Sequence, residues 1–404
     1  MDWNTKIIQN WVNGGHFTVG GEILFTNHNP HNGNVIQEVV TSGPENVAEA
    51  IACARKAQSA WANFTPIKRG YILRELALLM QANREELARI LHLETGKSLK
   101  DALGEVGAAI EQGFFWAGEG RRFSGRTLTT AVPNRSSFVT LDPVGIAALI
   151  VPANTSLANI TWKIFPALLC GNAVVLKSAE DAPWIAWGVA HLSKEAGLPD
   201  GLLNVVHGNR ETGKALVAHA EVDVISFTGS TAAGRQIAKV AGDRLTKVSL
   251  ELGGKNPLVV CDDADIDLAL KWSLLSSFSN TGQRCAASSR IIVFDKIYDE
   301  FRDRFVERTH KLKIGVENSD DLGPVINERQ IQFIQEIVSE SVREGGKILI
   351  GGKRAKDASH RKGYYMEPTI LENLSSESSI SRTEVFGPVT CLYRVNNLDE
   401  ALQL

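Results

Sequence analysis

Val222-Asp-Val-Ile-Ser-Phe-Thr-Gly-Ser-Thr-Ala-Ala-Gly234 is the stretch on which the fold turns. Val222 to Phe227 is a short β-forming run, Thr228 to Gly234 is a glycine-bearing turn, and a helical pattern continues through Ala241. A strand, a tight turn and a helix start in that order bring free backbone N–H groups and the positive end of a helix dipole to the carboxyl end of the strand, where a phosphate can be held. Taken alone, Gly229-Ser230-Thr231-x-x-Gly234 carries little weight, because a glycine after a strand also serves simply to permit a tight connection.

Its neighbours raise that weight. From Pro143 onward, short apolar runs alternate with helical stretches: Ile146 to Val151, Thr161 to Leu169, Ala173 to Leu176, Trp184 to Ala196 and Leu203 to Val206. The short runs fit strands covered on both faces of a parallel sheet. Lys177-Ser178-Ala179-Glu180 closes one of them, and a lysine with a carboxylate at a strand end can bond ribose hydroxyls. A surface lysine beside an incidental glutamate is the competing reading. Asn154 follows the first strand through Pro152 and Ala153, at the sheet edge where open α/β folds bind ligands. Its amide can donate to an oxyanion there, or it serves as a turn residue.

Working outward, helical spacing runs from Pro44 to Asn63, from about Pro66 to His92, and from Ala102 to Phe115. Thr127 to Leu141 resembles a protruding hairpin. A second α/β unit follows Glu251, with strands expected at Pro257 to Val260 and Arg290 to Phe294 and helices at Asp265 to Phe278, Ile297 to Lys313 and Glu328 to Glu344. Two α/β domains with a cleft between them is the simplest architecture.

Cys285 lies in Asn280-Thr-Gly-Gln-Arg-Cys285-Ala, 34 residues after Glu251 of Glu251-Leu-Gly-Gly-Lys255. The intervening strand, acidic turn and helix are enough chain to return the two to one cleft, giving a sulfur nucleophile and a carboxylate base suited to covalent catalysis through a thioester. The five cysteines, at 53, 170, 261, 285 and 391, are scattered, so neither a disulfide framework nor a zinc cluster is indicated and no metal is expected. Small and polar neighbours set Cys285 apart from a core-packing cysteine.

The 404 residues include 43 basic and 46 acidic side chains, for a formal charge of −3. That balance gives no electrostatic case for nucleic acid or an anionic membrane. No apolar run reaches the roughly 18 residues needed to span a bilayer, and a cytoplasmic protein acting on a small molecule is expected.

Together Pro-Ala-Asn154, Trp162-Lys163, Gly171-Asn172, Lys177-x-x-Glu180, Phe227-Thr-Gly-Ser230-Thr-x-x-Gly234, Glu251-Leu-Gly-Gly-Lys, Gly282-Gln-Arg-Cys285 and Glu384-Val-Phe386-Gly-Pro388 resemble the aldehyde dehydrogenase superfamily in order and spacing, from about Trp11 to the last residue. The resemblance implies two open parallel-sheet, Rossmann-like α/β domains: residues 1–124 and 144–252 for the dinucleotide, 253–404 for catalysis, and 125–143 as a small hairpin for oligomerisation. It implies that Cys285 attacks an aldehyde, that Asn154 and the Cys285 N–H hold the oxyanion, that Glu251 activates water, and that Lys163 has a structural or proton-relay role. For the cofactor it implies Lys177 and Glu180 at the adenosine ribose, Ser230 between Gly229 and Gly234 at the pyrophosphate, and Glu384 with Phe386 at the nicotinamide ribose. A carboxylate at Glu180 would repel a 2′-phosphate, which favours NAD over NADP.

Two departures stand out. Ala153 replaces the large aromatic usual before the asparagine. Family members also usually continue for roughly half a domain past Leu404, so the chain reads as a fragment or as a shortened relative that binds dinucleotide without turnover, and a homodimer or homotetramer is expected of a complete chain. Arg284, with Arg121 and Arg122, is a candidate attractor for an acidic aldehyde.

Overall fold

The computed structural model describes residues 3–17, 24–355, 357 and 360–404. Two units emerge: Met1–Asn27, Gln37–Leu91 and Leu103–Glu251 form the first, and His28–Ile36, His92–Ala102 and Leu252–Leu404 the second. The two excursions at His28–Ile36 and His92–Ala102 thus belong with the carboxyl-terminal unit. Main-chain bonds such as Tyr364 N–H to Pro30 O at 2.9 Å tie the first of them there.

The first unit is built on a seven-stranded sheet in the order Lys247–Leu252, Val224–Gly229, Ile146–Ile150, Ala173–Lys177, Leu203–Val206, Asn10–Val12, Gly15–Phe17. Its middle four strands are parallel, paired through Ile225 with Ala148, Ala148 with Val175, and Val175 with Asn204. The strands at 146–150, 173–177 and 203–206 are almost wholly buried, which is why they read as unbroken apolar runs. Helices Pro44–Ala62, Ser156–Leu169 and Pro183–Glu195 pack against this sheet.

After Leu203–Val206 the chain returns past its own starting strand, so that Val224–Gly229 pairs on the other side of Ile146–Ile150. That reversal creates a topological switch point at the carboxyl ends of the two strands.

Three local expectations change. The helical stretch from Pro66 to His92 is two helices, Pro66–Ala82 and Arg84–Thr95. They part at Asn83, whose φ of −104° and ψ of 20° leave the helical region. Its Nδ2 bonds Leu79 O at 2.8 Å, the local side-chain competition that makes asparagine a helix stop. The polar amino terminus also contributes a buried antiparallel strand, with Trp11 opposite Val205. The parallel sheets accordingly carry antiparallel edges. Arg126–Leu128 and Ser137–Val139 form the expected hairpin, with Phe138, Leu128 and Val139 exposed.

In the second unit a five-stranded sheet runs Asn256–Val260, Ser288–Phe294, Val389–Val395, Thr369–Glu372, Lys347–Ile350, parallel except for the last strand. Helices Ile266–Phe278 and Asp295–His310 pack on one apolar cluster around Phe301 and Phe305, and Glu328–Arg343 packs on another around Ile331, Ile334 and Val338. No helix among the described residues is long and apolar enough to cross a membrane.

Three histidines are held neutral chiefly by burial. His207, wholly buried and next to Lys177, is pushed down to about 3. His191 is pushed down to about 4. His31 is also pushed down to about 4, by burial and then by His92. Each folded pKa lies below the free value near 6.5, so the stability these groups contribute is complete above that value and is lost as pH falls towards 4. We expect the melting temperature to drop steeply between pH 6.5 and 4.5. His207→Gln should flatten the dependence by about one proton, or about 1.4 kcal/mol per pH unit. Parallel profiles for the two proteins would refute this.

Candidate active site

Cys285 follows a short 3-10 turn, Ser279–Gly282, in which Asn280, Thr281 and Gly282 all have positive φ, at 51°, 58° and 70°. For a β-branched threonine that backbone is an outlier, with a cost on the order of 1–3 kcal/mol, and it persists only where surrounding contacts demand it. Those contacts are present. Thr281 Oγ1 donates to Gly323 O at 3.0 Å. The buried Gln283 amide donates to Asn280 O at 3.3 Å and Pro324 O at 3.4 Å, and accepts from Ile326 N–H at 2.9 Å. Asn256 Nδ2 donates to the carbonyls of Cys285 and Ala287 at 2.5 and 3.2 Å. The backbone of the loop is thereby tied on both sides while the Cys285 residue stays exposed.

Gly254, Gly282, Arg284, Ser288, Glu384 and Phe386 line one crevice. All sit just before or at the start of the parallel strands 256–260, 288–294 and 389–395, so this face is the amino-terminal edge of the second sheet. A Cβ on Gly253 would fall 1.8 Å from a Glu384 carboxylate oxygen. Absence of a side chain there is what lets the carboxylate lie along the Gly253-Gly254 backbone. Burial pushes the Glu384 carboxyl up, while the Gly254 N–H and Lys255 pull it back. Gln330 Nε2 donates to Val385 O at 2.7 Å and Phe386 O at 3.1 Å, securing Phe386 in its left-handed conformation at φ 54°.

The first unit gathers its candidates at the opposite kind of edge, the carboxyl ends flanking the switch point. Ser230 caps helix Thr231–Asp243, its Oγ accepting from Ala233 N–H at 3.3 Å. A Cβ on Gly229 would press to 2.5 Å from the tip of the Phe227 ring, so a side chain there would make that ring shift. Gly234 is buried in the first turn of the helix. Lys177 is nearly buried, and its Nζ donates to Ser178 O at 2.8 Å. Burial pushes its pKa down to about 8 against the pull of Glu180 and Asp181. Behind it, Ser178 Oγ meets His207 Nδ1 at 2.7 Å. Asn154 is half-buried in the turn before helix Ser156–Leu169. On that helix Lys163 Nζ donates to Ser226 Oγ at 2.7 Å. Burial pushes the Lys163 pKa down to about 8, opposed by the charge of Glu251 at the end of strand Lys247–Leu252.

Of the three candidate arginines, two are engaged within the first unit: Arg121 with the Tyr71 hydroxyl at 2.7 Å, and Arg122 in an ion pair with Glu119. Arg284 is exposed and bonds Ser279 Oγ at 2.7 Å. Gln283, Asn256, Ser226, Gln330 and Glu105 carry or brace the candidates, and the sequence reading assigns none of them a role. Asn256 adjoins one quoted motif and Gln283 lies within another, which was the available signal. Glu105 had none. Among the described residues no group of three or more His, Cys, Asp or Glu could hold a metal ion.

In the first unit a strand-order reversal, a capped phosphate-type turn and a lysine with a carboxylate at the next strand end form the kind of edge at which open α/β sheets bind ligands. The comparisons carry this further. A family profile described as Aldehyde dehydrogenase family matches residues 19–404. The mitochondrial succinate-semialdehyde dehydrogenase of Arabidopsis thaliana is 39% identical over 381 residues, covering 93% of this chain and 71% of that protein. Succinate-semialdehyde dehydrogenase [NADP(+)] of Escherichia coli (strain K12) is 37% identical, over 95% and 80% of the two chains. The crystal structure of betaine aldehyde dehydrogenase from Staphylococcus aureus in complex with NAD+ superposes with a TM-score of 0.96 at 33% identity, over 98% and 79%. The chain belongs to the aldehyde dehydrogenase family and is an NAD(P)-dependent enzyme of that family.

Proposed function

We propose that the protein oxidises an aldehyde to the free carboxylic acid through a thioester on Cys285. The thiolate of Cys285 adds to the aldehyde carbon, and the Asn154 amide with the Cys285 backbone N–H stabilises the oxygen that becomes negative. The bound nicotinamide supplies the hydride acceptor. Glu251 then takes a proton from water, the hydroxide adds to the thioester carbon, and the carbon–sulfur bond breaks to return the thiolate. Lys163, with a pKa near 8, exchanges protons readily around neutrality and serves as a relay for the proton that Glu251 takes up. The observation that carries the reading is the Cys285 loop: a strained backbone held by the side-chain amides of Gln283 and Asn256, presenting an exposed cysteine. NADH formation with a panel of aldehydes tests it.

The reading places Lys177 and Glu180 at the adenosine ribose, Gly229, Ser230 and Gly234 at the pyrophosphate, and Glu384 with Phe386 at the nicotinamide ribose. NAD is preferred over NADP because the Glu180 carboxylate repels a 2′-phosphate. At least two relatives are named for NADP(+), so the ratio of kcat/KM for the two cofactors is the check. The exposed hairpin at 126–139 is proposed as an oligomer contact.

For the substrate we favour an acidic semialdehyde. Arg284 is next to the nucleophile and exposed, and two relatives are named for succinate semialdehyde. Arg284→Ala is expected to lower kcat/KM for acidic aldehydes by roughly 10- to 100-fold, the worth of a charge-assisted hydrogen bond, while neutral aldehydes change little. Equal losses for both classes would remove Arg284 from selectivity.

A further inference from the structure

The helix Ser156–Leu169 begins two residues after Asn154, and its N-cap residue, Thr155, makes no side-chain cap bond. Helices ordinarily need an acceptor at this end, because their first N–H groups have no partner within the helix. Here the acceptor comes from 52 residues away. Glu105, on helix Leu99–Glu119 and only 8% exposed, accepts through Oε1 from Leu157 N–H at 2.9 Å and Ala158 N–H at 3.2 Å. A carboxylate so placed both satisfies two donors and matches the helix dipole. Asn159 Nδ2 closes the same turn onto Thr155 O at 3.0 Å and Thr155 Oγ1 at 2.8 Å.

We infer that Glu105 is a positioning residue for the oxyanion donor: by clamping the first turn of this helix it sets where the backbone carries Asn154. The inference rests on the proposed role of Asn154. An oxyanion donor must lie within a few tenths of an ångström of its acceptor in the transition state, and removing one costs about 10²- to 10³-fold. Loosening its support should cost a fraction of that, chiefly in the step that forms the charge. Cofactor binding should be unaffected.

The test is a double-mutant cycle in the full chain, read as the single-turnover rate of NADH formation by stopped-flow fluorescence, with NAD affinity and melting temperature measured alongside. Asn154→Ala should slow that rate by about 100-fold or more. Glu105→Ala should slow it by roughly 10-fold, with the NAD dissociation constant within 2-fold of the parent. The pair should be no slower than Asn154→Ala alone, because Glu105 acts only through Asn154. Glu105→Gln, which keeps an oxygen acceptor but no charge, should recover most of the rate, and Glu105→Leu, which keeps the volume but has no acceptor, supplies the cycle if the alanine variant does not fold. Additive losses, or a Glu105→Ala rate equal to the parent while Asn154→Ala is slow, overturn the inference and leave the proposed chemistry standing. An unaffected rate in Asn154→Ala overturns both.

Discussion

Cys285→Ala is expected to abolish aldehyde-dependent NADH formation, by at least about 10⁴-fold, while leaving NAD affinity within a factor of about two. Loss of the nucleophile removes the covalent route altogether, and no neighbouring group on the loop replaces it: Gln283 is committed to three backbone partners and Arg284 to Ser279. Glu251→Gln separates the two halves of the reaction. Acylation proceeds, so one equivalent of NADH per site forms rapidly, but the thioester persists and steady turnover falls by about 10²- to 10⁴-fold. Mass spectrometry of the intact protein should then find an acyl group on Cys285. Normal steady turnover in Glu251→Gln would assign the base to another residue, and activity surviving in Cys285→Ala would remove the thioester from the mechanism.

Gly282→Ala is the second change with a large expected effect. Gly282 has φ +70°, and a Cβ there would come 2.1 Å from Gly387 O and 3.0 Å from Ser277 O. Both are backbone atoms, so the collision cannot be relieved by rotating a side chain. Strain and overlap together should cost more than about 3 kcal/mol locally, enough to displace the loop that carries Cys285. The expected result is a fall in melting temperature together with a change of 10-fold or more in the rate at which iodoacetamide alkylates Cys285. Gly107→Ala is the matched control. It lies within helix Leu99–Glu119, a Cβ there meets nothing within 4 Å, and the exchange should be neutral or stabilising by up to about 1 kcal/mol. Equal behaviour of the two variants would show that the loop is not sterically determined.

Most of the sheet and helix pattern was legible because it is written in local periodicity. Ile146–Ile150 and Ala173–Lys177 are short apolar runs whose neighbours force them into a sheet interior, and Pro44–Ala62 shows its helical spacing directly. Glu251, Cys285 and the glycine turn after Phe227 stand out as candidates for another reason: their chemistry is unusual for a strand end or a small-residue loop. Asn83 was missed because a single local hydrogen bond, to Leu79 O, overrode a continuous helical pattern. The strand Asn10–Val12 was missed because a three-residue segment has too little periodicity to read; its pairing with Gly15–Phe17 on one side and with Val205 on the other defines it.

What the sequence by itself determined is therefore the α/β class, the order of most strands and helices, and the reactive residue types with their spacing along the chain. Those follow from interactions between residues close in sequence, where side-chain period and backbone preference act. Tertiary structure alone decided that His28–Ile36 and His92–Ala102 join the second unit, and that the first sheet presents its candidates at carboxyl ends and the second at amino ends. It also decided that Glu105 caps a helix 52 residues ahead, and that Gln283 spends its whole amide on the backbone of 280–326. A buried polar group must find a partner wherever the fold offers one, and which partner that is depends on the packing of whole elements, a property no local pattern encodes.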